Sequence, residues 1–180
     1  MTKQITDDDL KAALPDVESE QKLRGIVSEV TIYRDRWGIP HIPADNESDL
    51  FFAQGFATAQ DRLFQMDHDR MRCLGRSAEH LGVIGLPQDK LMRRRSLEIV
   101  SKRDLEVSTA EVRAMISAYT NGVNAFISSN APLPAEYNLT ETNPKNGKIG
   151  TLFLFIKFVI PPKARSKRSC GLRSWLRRLG

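Results

Sequence analysis

Cysteine is scarce in this sequence, and acidic residues are missing altogether from its last 39 positions, since none follows Glu141. The only two cysteines are Cys73 and Cys170. They form neither a CxxC metal pair nor a disulfide framework, and both read as free thiols. No apolar run approaches the roughly 20 residues that a bilayer-crossing helix needs. The stretch Gly150–Ile160 has eleven residues and is broken by Lys157, so no membrane span is expected. The opening MTKQITDDDLKAAL holds three consecutive aspartates and no apolar core of signal length. It does not read as a secretory signal, and the expected compartment is the cytoplasm. Without such a signal, the N-x-S/T tripeptides at Asn46 and Asn138 read as chance matches. No internal repeat is present.

The length of 180 residues suits one domain, and the 41% hydrophobic and 27% charged shares are ordinary globular values. The net charge of +5 hides a division. Ten of the 27 basic residues follow Pro144, which leaves 17 basic against 22 acidic residues before it. The chain is an acidic body with a basic tail. Seven basic residues between Lys163 and Arg178, with Trp175 among them, allow contact with nucleic acid or an anionic surface.

Three regions are expected: a polar leader over 1–25, a body over 26–145 and a divergent basic tail over 146–180. In the leader, Asp8 to Leu14 suits a short helix stopped by Pro15. Val27 to Tyr33 alternates and reads as a strand. Asp35-Arg36-Trp37-Gly38 suits a turn, and Ile39 to Ile42 returns as a second strand placed near an edge by Pro40. A long helix follows, capped by Asn46 or Ser48, with Phe52, Phe56, Ala59, Leu63 and Met66 on one stripe. Gly55 interrupts that stripe at a cost of about 1 kcal/mol relative to Ala, which a close packing partner would explain. Gly75 and Gly82 bracket a helical turn. Pro87 to Arg103 reads as one helix with proline harmlessly in its first turn. Ser108-Thr109-Ala110-Glu111 fits a capping box. Val112, Met115, Ile116, Tyr119, Val123, Phe126 and Ile127 then define a helix ending near Asn130. Pro132 and Pro134 begin a loop.

Several side chains invite functional readings that simple geometry weakens. Asp67-His68-Asp69 lie on successive helical positions, point in different directions and cannot share one ion. They read as a solvated or ion-paired face. His41 reads as a packed, hydrogen-bonded structural histidine, and His80 as a surface cap near a helix end. Arg34-Asp35 and Asp61-Arg62 read as buried structural ion pairs, because a charge taken out of water needs a partner. Asp61, Arg62, Asp69 and Arg72 lie off the apolar stripe and are placed to pair among themselves. Arg93-Arg94-Arg95 reads as a solvated run. No catalytic, cofactor-binding or metal-ligating residue is assigned.

Three segments carry a family resemblance: RDRWGIPHI at Arg34–Ile42, DLFFAQGFATAQDRLFQMD at Asp49–Asp67 and GRSAEHLG at Gly75–Gly82. Together they resemble the start of the α-chain in the penicillin acylase family. LPAEYNLTETNPK at Leu133–Lys145 is similar to the family's Pro-Glu-aromatic segment. The resemblance covers about residues 28 to 145. It implies an α+β fold, mostly helical with an N-terminal β-hairpin, as part of an αββα N-terminal-nucleophile hydrolase. It implies an amidohydrolase acting on linear amides of N-acyl compounds such as β-lactams or acyl-homoserine lactones. In that family a serine at the start of a separate β-chain attacks the amide carbonyl, with its own α-amine as base. A free α-amine titrates near ~7.7–8.0, so a neutral fraction exists at pH 7. This sequence contains no Gly-Ser dipeptide to generate such a serine, and Gly150-Thr151, with 29 residues after it, is a poor substitute. The expectation is therefore a truncated, inactive α-chain-like piece whose partners are a β-chain and a small N-acyl substrate, not nucleic acid. Calcium, which the family often binds through a late α-chain carboxylate, finds no such ligand after Glu141. The tail beyond the resemblance reads as a shifted reading frame. The alternative is a non-catalytic binding module whose basic arm contacts polyanions.

Overall fold

In the computed structural model, residues 5–14, 16, 18, 20, 22–129 and 131–144 are described. The apolar run at Gly150–Ile160, Thr151, Cys170 and the basic tail lie outside them. The elements are α1 (Asp7–Ala12), β1 (Tyr33–Arg34), β2 (Pro40–His41), α2 (Glu47–Leu74), α3 (Ala78–Leu81), α4 (Leu86–Arg95), α5 (Leu97–Glu106), α6 (Ala110–Ser128) and α7 (Glu136–Thr140), with a 3-10 turn at Gly82–Gly85 between α3 and α4. Among the described residues the architecture is mostly helical with one two-stranded antiparallel ribbon.

Two long helices, α2 and α6, form the frame, and two glycines set their separation. A β-carbon at Gly55 would lie 2.1 Å from the Tyr119 carbonyl oxygen, and one at Gly122 would lie 1.9 Å from the Phe52 carbonyl oxygen. Each helix thus presents bare backbone to the other's backbone. The expected packing partner for Gly55 is α6. Around this contact lie Phe56, Ala59, Leu63, Val123, Phe126 and Tyr137. Phe56 and Phe126 meet edge to face at 5.5 Å, as do Phe64 and Tyr137 at 5.1 Å.

The stripe on α2 follows expectation through Leu63 and then shifts. Arg62 leaves helical geometry (φ −140°, ψ 22°); beyond it Leu63 and Cys73 are buried, and so are Asp67 and Met71. Those two follow Leu63 at steps of four, so Asp67 takes the inward line and Met66 is only half-buried. Asn46 caps the helix, its Oδ1 accepting the Asp49 amide at 2.9 Å. Gly75 closes it in the left-handed region at φ 64°.

Four expectations are corrected. Val27 to Ile32 forms no strand, because the Val27 and Ser28 amides donate to the Asp49 carboxylate rather than to a neighbouring strand. The ribbon has only two residues per strand, pairing Tyr33 with His41 and Arg34 with Pro40, which has no N–H to extend the ladder. The single helix read over Pro87–Arg103 is two, α4 and α5, divided at Ser96 in the left-handed region (φ 49°). Both halves pack on α2, which one straight helix would not allow. The cap of α6 is Thr109, accepting from the Val112 amide at 3.3 Å, one residue later than the capping box placed it.

Replacing Gly122 with Ala should be severe, since the added methyl meets backbone that cannot rotate away. Overpacking costs about 1–3 kcal/mol and occasionally more, and contact with rigid backbone puts this site at the upper end. Urea denaturation of Gly122→Ala should show either that loss or no cooperative transition, while Val107→Ser, at a side chain 84% exposed, should leave the midpoint within experimental scatter. Equal midpoints for both variants would remove the close crossing from the fold's essential contacts.

Candidate functional site

The matched motifs converge where the hairpin meets α2. Asp35 builds the turn: its Oδ1 accepts the Trp37 amide at 2.8 Å and the Ile39 amide at 3.0 Å. Gly38, at φ 76°, adopts the conformation that lets the chain reverse. The Ile39 amide, and after it the Trp37 amide and His41, hold the Asp35 carboxyl below its ordinary value. His41 Nε2 lies 3.3 Å from Asp35 Oδ2, and its ring stacks on Tyr33 at 5.0 Å. His41 is hydrogen-bonded as expected but exposed rather than packed, with Tyr33 covering one side of its ring.

Arg34 fastens this turn to α2. Its guanidinium makes a forked pair with Asp61 at 2.9 and 3.1 Å and reaches Gln60 Oε1 and the Gly38 carbonyl, both at 2.9 Å. The family-pattern charges therefore pair across elements, Arg34 with Asp61. Asp35 turns to backbone amides instead. Asp69 pairs with Arg72 at 2.9 Å.

Beside the hairpin, a groove of about 640 Å³ runs between the leader and α2. Its floor includes Leu23, Ile32, Phe52 and Phe56, and its rim includes Glu18, Glu20, Glu29 and Lys22. The φ of 102° at Gly25 lets the leader cross over the Phe52 ring.

Among the described residues, three aspartates are buried: Asp49, Asp67 and Asp89. Asp49, wholly buried, accepts the Val27 amide at 2.9 Å, the Ser28 amide at 2.8 Å and the Asn46 side-chain amide at 2.7 Å. Those donors, the Val27 amide foremost, hold its carboxyl below the usual range. Asp67 accepts Arg70 Nε at 2.8 Å, and the Tyr137 hydroxyl lies 3.5 Å away. Burial, then the Asp67 charge, pushes the Tyr137 hydroxyl well above its ordinary value. Asp89 on α4 accepts the Ser77 and Ala78 amides at 2.7 and 2.8 Å, capping α3 from outside. Asp67-His68-Asp69 thus divides as helical geometry requires: Asp67 to Arg70, Asp69 to Arg72, and His68 stacked near Phe64 at 6.4 Å. His80 sits in the last turn of α3 with its Nδ1 buried and without a hydrogen-bond partner. Arg93 is not simply solvated: its Nε donates to the Gly75 carbonyl at 2.9 Å. Cys73 is a buried free thiol, and burial, followed by Asp69, pushes it up to about 11.

Sequence reasoning missed Asp49, Asp89 and Tyr137 as anchors. Asp49 was visible only as the third residue after the Asn46 cap. Asp89 lay in a segment read only as a helix with Pro87 in its first turn. Tyr137 lay among prolines and was assigned to a loop, whereas α7 carries it into the core.

The chain belongs to the penicillin amidase family, whose model matches residues 29–162. The match runs through the apolar stretch after Gly150. Over 136 residues the chain is 48% identical to the penicillin acylase 2 proenzyme of Pseudomonas sp. (strain SE83), an alignment covering 76% of this chain and 18% of that protein. Over 123 residues it is 34% identical to penicillin G acylase of Escherichia coli, covering 66% of this chain and 14% of that protein. An acyl-homoserine lactone acylase of Pseudomonas aeruginosa is 31% identical over 121 residues, covering 67% of this chain and 14% of that protein. Among solved structures, the thermostable penicillin G acylase of Alcaligenes faecalis superposes with a TM-score of 0.67 at 26% identity, covering 84% of this chain and 80% of that one. The chain therefore spans less than a fifth of the length of these curated relatives.

Two measurements check the site. The lowered carboxyl of Asp49 contributes stability that is fully present above its unfolded value near pH ~3.9 and is lost as pH falls through the folded value. Between neutral pH and about pH 3, Asp49→Asn should therefore lose less stability in urea titrations than the parent does. Parallel losses would remove the clasp. In a Cys170→Ser background, Cys73 should react with a disulfide reagent at pH 8 far more slowly when folded than in urea, and equal rates would contradict its burial.

Proposed function

We propose that this chain is the structural arm of an amide-hydrolysing acylase and has no hydrolytic activity alone. The observation that carries this reading is where the chain's strongest polar groups point. Asp49, Asp89 and Arg34 are each held by contacts that fasten one element to another, and Asp67, paired with Arg70 inside α2, meets the Tyr137 hydroxyl of α7. Their work is positioning. The nucleophile is the N-terminal serine of a partner β-chain, and its α-amine takes the proton as the hydroxyl attacks an amide carbonyl. Donors fixed on that partner hold the oxyanion. The helical frame described here covers the partner and keeps its site in register. The substrates are N-acyl compounds, with β-lactams and acyl-homoserine lactones the two classes that the relatives' names suggest.

The test is complementation. The 180-residue chain is co-expressed with the remainder of the Pseudomonas sp. SE83 proenzyme, lacking its own matched segment, and hydrolysis of chromogenic N-acyl amides is followed. Each half alone should be inactive, and the pair should release the amine. Hydrolysis by this chain alone, or a pair as silent as its parts, would sink the proposal.

A further inference from the structure

Leu81-Gly82-Val83-Ile84-Gly85-Leu86 places four apolar side chains on the surface within six residues. Val83 and Ile84 are 80% and 86% exposed, and Leu81 and Leu86 are 47% and 43% exposed. Burying such side chains is favourable, so their joint exposure leaves that gain unrealised. The segment is also rigidly mounted. Asp89 fixes the start of α3 through the Ser77 and Ala78 amides. Gly85 is buried so tightly that a β-carbon there would lie 2.7 Å from the Ala78 nitrogen. Pro87 holds the first turn of α4 immediately beyond. An apolar knob held from both ends loses little freedom when it binds, which is the property of a binding anchor.

We propose that the Leu81–Leu86 knob is the docking anchor for the catalytic β-chain, seated in an apolar pocket with an acidic rim. This rests on the assembly proposed above. Lys90, Arg94 and Arg95 stand exposed on α4 beside the knob, whereas the body before Pro144 carries 17 basic against 22 acidic residues. An acid-rimmed partner is therefore drawn to α4 and repelled by most of the remaining surface. A second copy of this chain fits poorly, since a two-fold contact through the knob would set the same three cations against one another. The aligned segment is 18% of the Pseudomonas sp. SE83 proenzyme, so most of a related polypeptide remains to supply the pocket.

The test repeats the co-expression with an affinity tag on this chain. Val83→Ser with Ile84→Ser should reduce the co-purified partner by at least about tenfold, because two anchors are truncated together. Its urea midpoint should match the parent, as both side chains are already in water. Lys90→Glu with Arg94→Glu and Arg95→Glu should also weaken capture, with the parent pair the more salt-sensitive. Undiminished capture by both variants overturns the anchor while leaving the acylase assembly intact. Failure of the parent chain to capture any partner overturns the assembly and the anchor together. A parent that is dimeric alone and becomes monomeric on the serine substitutions makes a second copy the occupant, and the proposal is then wrong.

Discussion

Everything in the described body depends on α2 and α6 touching backbone to backbone. Gly55 and Gly122 make that approach reciprocal, each facing a carbonyl oxygen of the other helix. Close approach brings Phe56 into edge contact with Phe126 and leaves room for Tyr137 to close the end of the core. A wider spacing would leave voids that the surrounding side chains are too well ordered to fill. The cost of a glycine inside a helix is about 1 kcal/mol, small beside the dispersion and burial that the crossing recovers.

The second level of organisation is polar. Asp49, Asp67 and Asp89 each sit in the apolar interior, where an unpaired carboxylate would be expensive. Each instead has donors around it: the Val27 and Ser28 amides before β1 for Asp49, the Ser77 and Ala78 amides at α3 for Asp89, and Arg70 of the same helix with Tyr137 of α7 for Asp67. Hydrogen bonds are directional, so these contacts fix the angles at which loops join helices, where apolar packing fixes only proximity. The hairpin obeys the same logic through Arg34 and Asp61. The charged residues of the first family motif hold the hairpin to α2 and shape its turn.

How far the sequence was legible follows from the physics of each element. The α2 and α6 stripes repeat over many turns, so their helices and the Gly55 contact were readable. The mostly helical fold with an N-terminal hairpin was readable through the motifs. The break at Ser96 was not, because nothing local forbids a continuous helix there and the contacts of both halves with α2 are long-range. Val27–Ile32 alternates like a strand, yet a carboxylate 22 residues later takes the amides that a sheet would have used. Tyr137 was hidden because proline-rich context signals a loop while saying nothing about what the loop buries. The pairing of Arg34 with Asp61, 27 positions apart, needed coordinates. Local signals reported elements well and long-range polar partners poorly.

The crossing also has a consequence in time. Gly55 and Gly122 are 67 positions apart, and α3, α4 and α5 occupy the interval between them. The chain is made from its N-terminus at about 5–20 residues per second, so α6 follows the matching part of α2 by roughly 3 to 13 s. During that interval α2 exists without the surface that Phe52 and Phe56 are shaped to meet. Helix formation takes microseconds or less, so the delay is set by synthesis rather than by folding. Through those seconds the nascent chain carries an uncovered apolar stripe, which gives chaperones a defined window in which to hold it and makes the arrival of α6 the event that ends the risk.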